Sequence, residues 1–599
     1  MIHAQTPRPP YGTAIGSRHG WLALAWTTVV LVAGGLRFGG LGWLRPLSPL
    51  EAGHAWPAWL ASIGSSLTVE TTTVSSPLLY TAQRFLFWLA GGGDGLARAF
   101  PALVGTLLPL VAWRARDRWG TPQALALAVL LAVDPWLVAL SRRADGAILA
   151  LGTALALLVE LHRAQRPTGG GDAPRPSWLW WGVLVGLFLL SGPLTWLLLP
   201  VLALAWLLLP PPPPRDRGSR VGFVTGLGLA LGIGGTGLFA HWQELGTVAY
   251  AADLAWSMVT GQDVERLGGP YPWSWAAMRA LADVLPLWFL GIPALGLALR
   301  KPSEPAPPRA ALERRWSFLL AGWALWGAVL WLLPGRNPLV LPMLGLPLLL
   351  AAAPVWPRLF RFFRDPTGTP DRWLVLGAFT ALMVTARFWT ASLVGPPGAA
   401  DGGLETVLLF YALGPLLAGL FWWWLGPRAT LQGLAGVALI GLSLWTVSAT
   451  WSLSFRLDWP QATGLFGMET GAEIRLLQED VARLSAYRTG DPTQIPVEVS
   501  VPPRLRPLLG WYLREMEALR FVQGVDPEQL AATRALVLAA PDTPLALPGG
   551  YVGNAYPVIF RWLPTDLPDV RAWVRWLLTR RMAGSPVVEE VVLWAMGQE

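Results

Sequence analysis

A short acidic segment after the first long apolar run carries the main candidate for chemistry. The segment reads Ser48-Pro-Leu-Glu51-Ala-Gly-His54. A carboxylate just beyond a membrane helix needs a polar or watery pocket, because an unpaired charge is costly to bury in lipid. Glu51 is therefore a candidate for a functional site. His54 is three residues further on and shares a helix face with Glu51. We expect it to form a core hydrogen bond more often than to bind a ligand.

A second set of polar residues ends a later apolar run, at Asp134-Pro135 and Ser141-Arg142-Arg143-Ala-Asp145. The planar guanidinium forks of Arg142 and Arg143 suit a pyrophosphate or a lipid phosphate. Asp134 lies about two turns inside its run, where it either pairs with one of these arginines or takes part in chemistry. Arg336, in a tight Gly/Pro turn, is a further candidate for phosphate contact.

The apolar runs that position these residues have the length of membrane helices. The chain has 599 residues, of which 53% are hydrophobic and 14% charged, with a mean hydropathy of +0.45. Runs of roughly 17–23 apolar residues cross a bilayer as helices. We predict a polytopic α-helical membrane protein with about 13 transmembrane helices. The predicted spans are Trp21–Phe38, Arg98–Trp113, Gln123–Leu140, Ile148–Leu161, Trp178–Leu190, Leu194–Leu209, Val221–Ala240, Leu281–Leu299, Trp316–Leu333, Leu339–Ala353, Trp373–Leu393, Leu404–Leu425 and Leu431–Trp451.

The distribution of arginine orients these spans. Loops rich in arginine alternate along the chain with loops that contain few arginines, so the positive-inside rule predicts a cytoplasmic N-terminus. The first span is long enough to cross the membrane, and we expect it to act as an uncleaved signal anchor. The rule holds only if Pro77–Ala90 lies at the outer interface without crossing. Arg37 and Arg45 flank the end of the first span, and we expect them to snorkel towards the interface. The net charge of +8 thus reflects topology, with no motif for nucleic acid. The lack of cysteine excludes disulfides and thiolate chemistry.

The composition changes after the last predicted span. Residues 1–453 form the predicted transmembrane domain, with a first outer loop at 39–97, and residues 454–599 form a small α/β domain on the extracytoplasmic side. We predict helices at Ala472–Tyr487, Leu505–Leu519 and Asp569–Arg580 from their apolar periodicity, and strands at Ile495–Val501, Ala535–Ala539 and Val587–Trp594.

Several short motifs occur together in a recognisable order. They are Ser-Pro-Leu-Glu51-Ala, Ser76-Pro-Leu-Leu-Tyr80, Gly95-Leu-Ala-Arg98-Ala-Phe-Pro101, Asp134-Pro135 and Ser141-Arg-Arg-Ala-Asp145. This set resembles the GT-C membrane glycosyltransferases of the protein mannosyltransferase/aminoarabinose transferase type (glycosyltransferase family 39). The likeness covers residues 20–165 well and the later spans by topology. Leu509-Gly-Trp-Tyr-Leu-Arg514 resembles the C-terminal domain of a prokaryotic branch of that group.

The resemblance implies transfer of a sugar from a polyprenyl-phosphate carrier to a lipid, glycan or protein acceptor at the outer face of a prokaryotic plasma membrane. The family's first-loop motif is usually Asp-Glu, and here the Asp position is Leu50. Three interpretations follow: Glu51 is the base, Asp145 or Asp134 is the base, or transfer is lost and the chain binds or flips a lipid-linked saccharide. In the first, Arg142, Arg143 and Arg336 hold the phosphate. The role of a divalent cation stays open, and membrane lipids are the other expected partner.

Overall fold

The computed structural model describes most of the chain. The described residues are 14–65, 74–165, 177–211, 216–237, 246–262, 272–300, 308–365, 370–392, 403–455, 468–561, 576 and 586–597. The predicted helix Asp569–Arg580 lies almost entirely outside these residues.

The regular elements of the described part of the N-terminal region are helices. They are α1 (Ala14–Phe38), α2 (Pro49–Ser62), α3 (Pro77–Ala90), α4 (Asp94–Trp119), α5 (Thr121–Val133), α6 (Pro135–Ser141), α7 (Ala147–Ala164), α8 (Trp178–Leu189), α9 (Pro193–Leu208), α10 (Arg217–Gly234), α11 (Thr247–Thr260), α12 (Trp273–Leu299), α13 (Pro308–Leu332), α14 (Leu341–Ala352), α15 (Val355–Arg364), α16 (Arg372–Ser392), α17 (Gly403–Leu425) and α18 (Pro427–Ser454).

The chain is a polytopic helical membrane protein. Among the described helices, seven are long and apolar enough to cross a membrane, or up to nine if each of two bent pairs is one span. Three shorter apolar helices, at Trp178–Leu189, Pro193–Leu208 and Pro286–Leu299, accompany them. The total of 13 spans stays a prediction. Helix α3 has the predicted bounds, and its 14 residues are too few to cross a hydrocarbon core of about 30 Å at 1.5 Å per residue.

The span predicted as one helix over Gln123–Leu140 is broken in two. Helices α5 and α6 meet at an angle of 55° around Asp134. Pro135 disfavours the α conformation in the residue before it, and Asp134 has φ −58° and ψ 127°. Its side chain caps the new helix, because Oδ1 accepts a hydrogen bond from the Leu137 backbone N–H at 2.9 Å.

The segment predicted as the first outer loop contains α2 and α3, and α2 has strong local signals. Ser48 is its N-cap and forms a capping box with Glu51, while Pro49 occupies the first turn. Most of α2 is buried, since it packs against α3 and against a helix of the C-terminal domain. Helix α2 is therefore part of the core, and it brings Glu51 to a defined place.

The C-terminal domain has a six-stranded mixed sheet in the order β1-β5-β6-β4-β2-β3. The β2–β3 and β2–β4 pairs are parallel and the others antiparallel. Its elements are β1 (Met468–Thr470), α19 (Glu473–Thr489), β2 (Val497–Ser500), α20 (Arg506–Tyr512), β3 (Leu519–Phe521), α21 (Pro527–Thr533), β4 (Leu536–Ala539), β5 (Tyr551–Arg561) and β6 (Val587–Met596).

The structure confirms α19, β2, β4 and β6 and corrects one predicted helix. Leu505–Leu519 is not continuous: α20 ends at Tyr512, and Leu519 pairs with Val497 in the sheet. Pairing with a distant strand outweighs the local helical pattern there. Strand β5 is absent from the prediction. It contains Pro557, and a register shift between Pro557 and Ile559 accommodates that residue.

The C-terminal domain is attached to the first outer loop through Asp94. The Asp94 carboxylate accepts hydrogen bonds from Trp511 Nε1 at 2.8 Å and from Tyr512 Oη at 3.0 Å. Arg475 donates to it at 2.9 Å and also to the backbone oxygens of Gly42 and Trp43. These contacts place the edge of the domain beside the segment that leads into α2.

Candidate active site

A polar cavity of about 70 Å³ lies where the first outer loop, α4, α6, α18 and β1 meet. Its volume corresponds to roughly five water molecules. Four arginines contribute to its wall together with two glutamates, three hydroxyl residues and several apolar residues. The polar lining residues are Arg45, Ser48, Glu51, Arg98, Arg142, Arg143, Ser454, Glu469 and Thr470. The excess of positive charge suits an anion of the size of a phosphate group.

Glu51 is buried, and both of its carboxylate oxygens are occupied. Oε1 accepts hydrogen bonds from Arg98 Nε at 2.7 Å and from the Ala144 backbone N–H at 2.9 Å. Oε2 accepts from Arg98 Nη2 at 2.9 Å and from the N–H and Oγ of Ser48 at 2.9 and 3.0 Å. Five donors thus fill the roughly four lone-pair positions of the carboxylate.

These partners hold Glu51 ionised. Burial alone would raise the pKa of its carboxyl group, but the charges of Arg98 and Arg143 and the hydrogen bonds bring the pKa far below its usual range. A carboxylate with such a low pKa and no vacant lone pair is a poor proton acceptor. Its geometry suits a positioning group that joins α2, α4 and the segment after α6.

Arg98, on α4, is the partner that sequence reasoning did not assign to the site. Its five N–H groups all have acceptors: two go to Glu51, and the others go to the backbone oxygens of Leu41, Arg45 and Pro46. The ion pair is almost fully buried, with 6% and 2% of the two side chains exposed. Arg98 therefore ties the start of the outer loop to Glu51. Its place in the Gly95–Pro101 motif was the available signal.

Arg37 joins α1 to α5, and Arg142 joins the end of α6 to the end of α1. Arg37 is fully buried and donates to the backbone oxygens of Leu131 and Ala132, both at 2.9 Å. Arg142 Nη1 donates to three backbone oxygens at the end of α1, those of Leu36, Arg37 and Gly39, at 2.7–3.2 Å. Cations suit helix C-termini. The expectation that Arg37 snorkels to the interface is therefore wrong.

Arg142 also has donors left over. Nε and Nη2 of Arg142 have no acceptor within the described part of the chain, although the residue lines the cavity. The guanidinium rests 4.4 Å from the ring centroid of Phe455, which fixes its plane. Ser454 is buried in the same wall, and its Oγ has no hydrogen-bond partner among the described residues. A buried hydroxyl without a partner is unusual, and the described residues offer this one no hydrogen bond.

Arg143 and Asp145 lie beside this wall. Arg143 Nη2 donates to Ser48 Oγ at 3.1 Å, and Nε donates to Asp145 Oδ2 at 3.1 Å. Asp145 Oδ1 accepts from the Ala147 backbone N–H at the start of α7. Burial raises the pKa of the Asp145 carboxyl group, although Arg143 opposes this effect. Asp145 therefore differs from Glu51 in having a higher affinity for a proton and fewer donors around it.

The C-terminal domain completes the cavity. Glu469, on β1, accepts a hydrogen bond from Arg45 at 2.8 Å, and the two side chains stay 16% and 25% exposed. Thr470 Oγ1 donates to the backbone oxygen of Leu47 at 2.8 Å. The sequence predicts this domain beside the first outer loop, but it does not single out Glu469 or Thr470. Nothing in the local sequence of β1 indicates contact with residues more than 400 positions earlier.

The remaining predicted site residues lie elsewhere. Asp134 caps α6 and forms no ion pair with Arg142 or Arg143, so its expected pairing is wrong. His54 Nε2 is 3.2 Å from Ser75 Oγ, and burial lowers the His54 pKa to about 4 despite Glu51, which makes it a neutral core residue at pH 7. Arg336 has φ 44° and stacks 4.2 Å from the ring centroid of Trp273. None of the three lines the cavity.

The cavity does not fit a divalent cation. Its lining has four guanidinium groups, Glu51 has no free lone pair, and Glu469 already pairs with Arg45. Leu50 cannot act as a ligand. The described residues contain no group of three or more His, Asp or Glu side chains that could hold a metal ion. The described residues of this cavity therefore supply no metal site, and no step below uses a metal.

Comparisons with known proteins return structures and no sequence families. No protein-family model and no curated protein matches the sequence. The fold is similar to ArnT from Cupriavidus metallidurans, in the apo state (16% identity, TM-score 0.48) and bound to undecaprenyl phosphate (15%, 0.49). Each comparison covers 96% of this chain and 98% of that one.

A second similar structure is the archaeal oligosaccharyltransferase AglB from Archaeoglobus fulgidus, in complex with an inhibitory peptide and a dolichol-phosphate. It has 13% identity and a TM-score of 0.45 over 87% of this chain and 70% of that one. The aminoarabinose-transferase type named from the sequence is thus among the returned structures. The function proposed below rests on contacts within this protein.

Proposed function

We propose that this protein is a membrane glycosyltransferase whose donor is a sugar linked to a polyprenyl phosphate. The observation that carries the proposal is the cavity lined by Arg45, Arg98, Arg142 and Arg143. Arg142, whose Nε and Nη2 have no acceptor among the described residues, and Ser454, whose hydroxyl has no described partner, both line this cavity. Charge-assisted hydrogen bonds from such groups would stabilise the negative charge that develops on a leaving phosphate.

In this proposal Asp145 is the general base. The hydroxyl of a lipid, glycan or protein acceptor attacks the anomeric carbon of the donor sugar. The bond between that carbon and the phosphate oxygen breaks, the lipid phosphate leaves with its electron pair, and the hydroxyl proton passes to the carboxylate. Asp145 adjoins the cavity through Arg143, and its raised pKa favours proton uptake. The family usually has an aspartate at the position of Leu50. In this proposal Asp145, and not Glu51, performs the role of that aspartate.

Glu51 and Arg98 are positioning residues in the same proposal. Glu51 holds Ser48 through a hydrogen bond from Ser48 Oγ. Ser48 Oγ in turn accepts a hydrogen bond from Arg143 Nη2, and this second hydrogen bond orients Arg143 towards the cavity. The acceptor, the carrier length and the sugar are matters for experiment. The cytoplasmic N-terminus and an extracytoplasmic C-terminal domain remain part of the proposal, since they follow from the distribution of arginine alone.

The test is transfer of labelled sugar in proteoliposomes from a panel of polyprenyl-phosphate sugars. The wild type is compared with Asp145→Asn and Glu51→Gln, with and without a chelator. We expect transfer that is insensitive to the chelator and that Asp145→Asn reduces by about 10²- to 10⁴-fold in kcat, the usual contribution of a general base. Transfer by Asp145→Asn at the wild-type rate would contradict the assignment of the base.

A non-catalytic protein that binds or flips a lipid-linked saccharide is the second candidate. The presence of Leu50 favours it, because leucine can neither accept a proton nor bind a metal. Saturable binding of a polyprenyl-phosphate sugar, with no transfer to any acceptor and with movement of the lipid between leaflets, would support this candidate over the enzyme.

A further inference from the structure

Helix α15 is held on the bundle by one face and leaves another face uncovered. It follows α14 after a bend of 40°. Its Phe363 is buried, with the ring centroid 5.0 Å from that of Trp373, and a Cβ atom at Gly436 would come within 2.8 Å of the Phe363 ring. Gln432 Nε2 donates to the backbone oxygen of Phe362 at 3.2 Å. The helix is therefore fixed on α18.

The uncovered face carries three arginines. Arg358, Arg361 and Arg364 recur every three residues, which places them on one stripe of the helix. All three are exposed. None of them forms an ion pair with any described residue; the nearby carboxylate, Asp365, pairs with Arg428 at 2.9 Å instead. Three like charges without a counter-charge need an anionic partner or open water.

Two aromatic residues flank this arginine stripe. Phe360 and Phe362 are 50% and 40% exposed, and helical geometry puts them on opposite sides of the stripe. The guanidinium of Arg364 lies 5.6 Å from the ring centroid of Phe360. An aromatic border beside basic side chains is typical of a helix that rests at the boundary between headgroups and acyl chains.

We propose that the α15 face formed by Arg358, Phe360, Arg361, Phe362 and Arg364 binds anionic phospholipid headgroups of the membrane in which the protein sits. The arginines contact the lipid phosphates, and the two phenylalanines enter the adjacent acyl region. Three uncompensated charges are complementary to an anionic leaflet, and each contributes roughly fivefold to binding near such a surface. A free phosphate ion would explain the arginines but would leave the exposed phenylalanines without a partner.

The test measures retention of phosphatidylglycerol by the detergent-solubilised protein, using native mass spectrometry over a lipid titration. Phosphatidylcholine serves as the zwitterionic comparison. We expect the triple variant Arg358→Gln/Arg361→Gln/Arg364→Gln to lose roughly 100-fold in affinity for phosphatidylglycerol. The control is Arg483→Gln/Arg504→Gln/Arg520→Gln, which removes the same charge from exposed positions of the C-terminal domain and should bind as the wild type does.

Two further measurements separate charge from folding and from free phosphate. The triple Arg→Lys variant of α15 keeps the charge and should retain most of the binding, whereas its loss in a folded lysine variant would contradict the electrostatic basis. Inorganic phosphate should not compete with the lipid. Competition by inorganic phosphate, equal retention of phosphatidylcholine, or unchanged binding by the glutamine variant would each overturn the proposal.

Discussion

Replacing Glu51 by glutamine is the sharpest test of the division of roles between the two carboxylates. The substitution leaves Arg98 charged and buried without its counter-ion. The substitution also turns one carboxylate oxygen into an NH₂ group. Each oxygen of Glu51 accepts two or more hydrogen bonds, so the new NH₂ group faces at least two hydrogen-bond donors. Breaking one half of a buried ion pair costs about 3–5 kcal/mol. We expect a loss of that size in the free energy of unfolding.

The assay is reversible unfolding in mixed micelles, followed by tryptophan fluorescence and run beside sugar transfer. Glu479→Gln, on the exposed face of α19, is the control and should change the unfolding free energy by less than about 0.5 kcal/mol. The double variant Glu51→Gln/Arg98→Gln should cost clearly less than the sum of its two single variants, because neither charge is then left unpaired.

The same ion pair has a consequence for pH. The pKa of Glu51 is lowered in the folded protein, so its contribution is complete above the unfolded value of about 4.3 and is lost as the pH falls further towards the folded value. A Glu51→Gln variant with wild-type unfolding free energy but no transfer would refute this reasoning, since it would make Glu51 the base and not a positioning residue.

Three further predictions concern the cavity. Ser454→Ala should leave the unfolding free energy unchanged, since Ser454 Oγ has no described partner, and weaken carrier binding about 2- to 10-fold; Ser443→Ala on the same helix should change neither quantity. If Asp145 is the base, kcat should fall at acidic pH with an apparent pKa above that of an ordinary aspartate. An apparent pKa at or below the ordinary value would argue against the assignment. Glu469→Gln should release Arg45 and tighten carrier binding in a titration; weaker binding would show that the carboxylate holds Arg45 in a productive position.

The local signals of this sequence were enough to predict its class and many of its elements. The bounds of α3 and strands β2 and β4 follow from turn residues and periodicity over a few neighbours. The same signals failed at Leu505–Leu519 and at β5. In both places the conformation depends on a strand that is distant in sequence.

The candidate site divides in the same way. The sequence by itself singled out Glu51, Arg142, Arg143 and Asp145, because charged residues beside membrane helices are costly and stand out from their surroundings. Only the tertiary structure decided their roles, since a pKa and a free lone pair depend on neighbours in space. Arg98 is 47 residues from Glu51, and β1 is more than 400 residues from Arg45. The folded chain brings these distant residues together. As a result, both carboxylate oxygens of Glu51 are fully hydrogen-bonded, whereas Arg142 keeps N–H donors for a ligand.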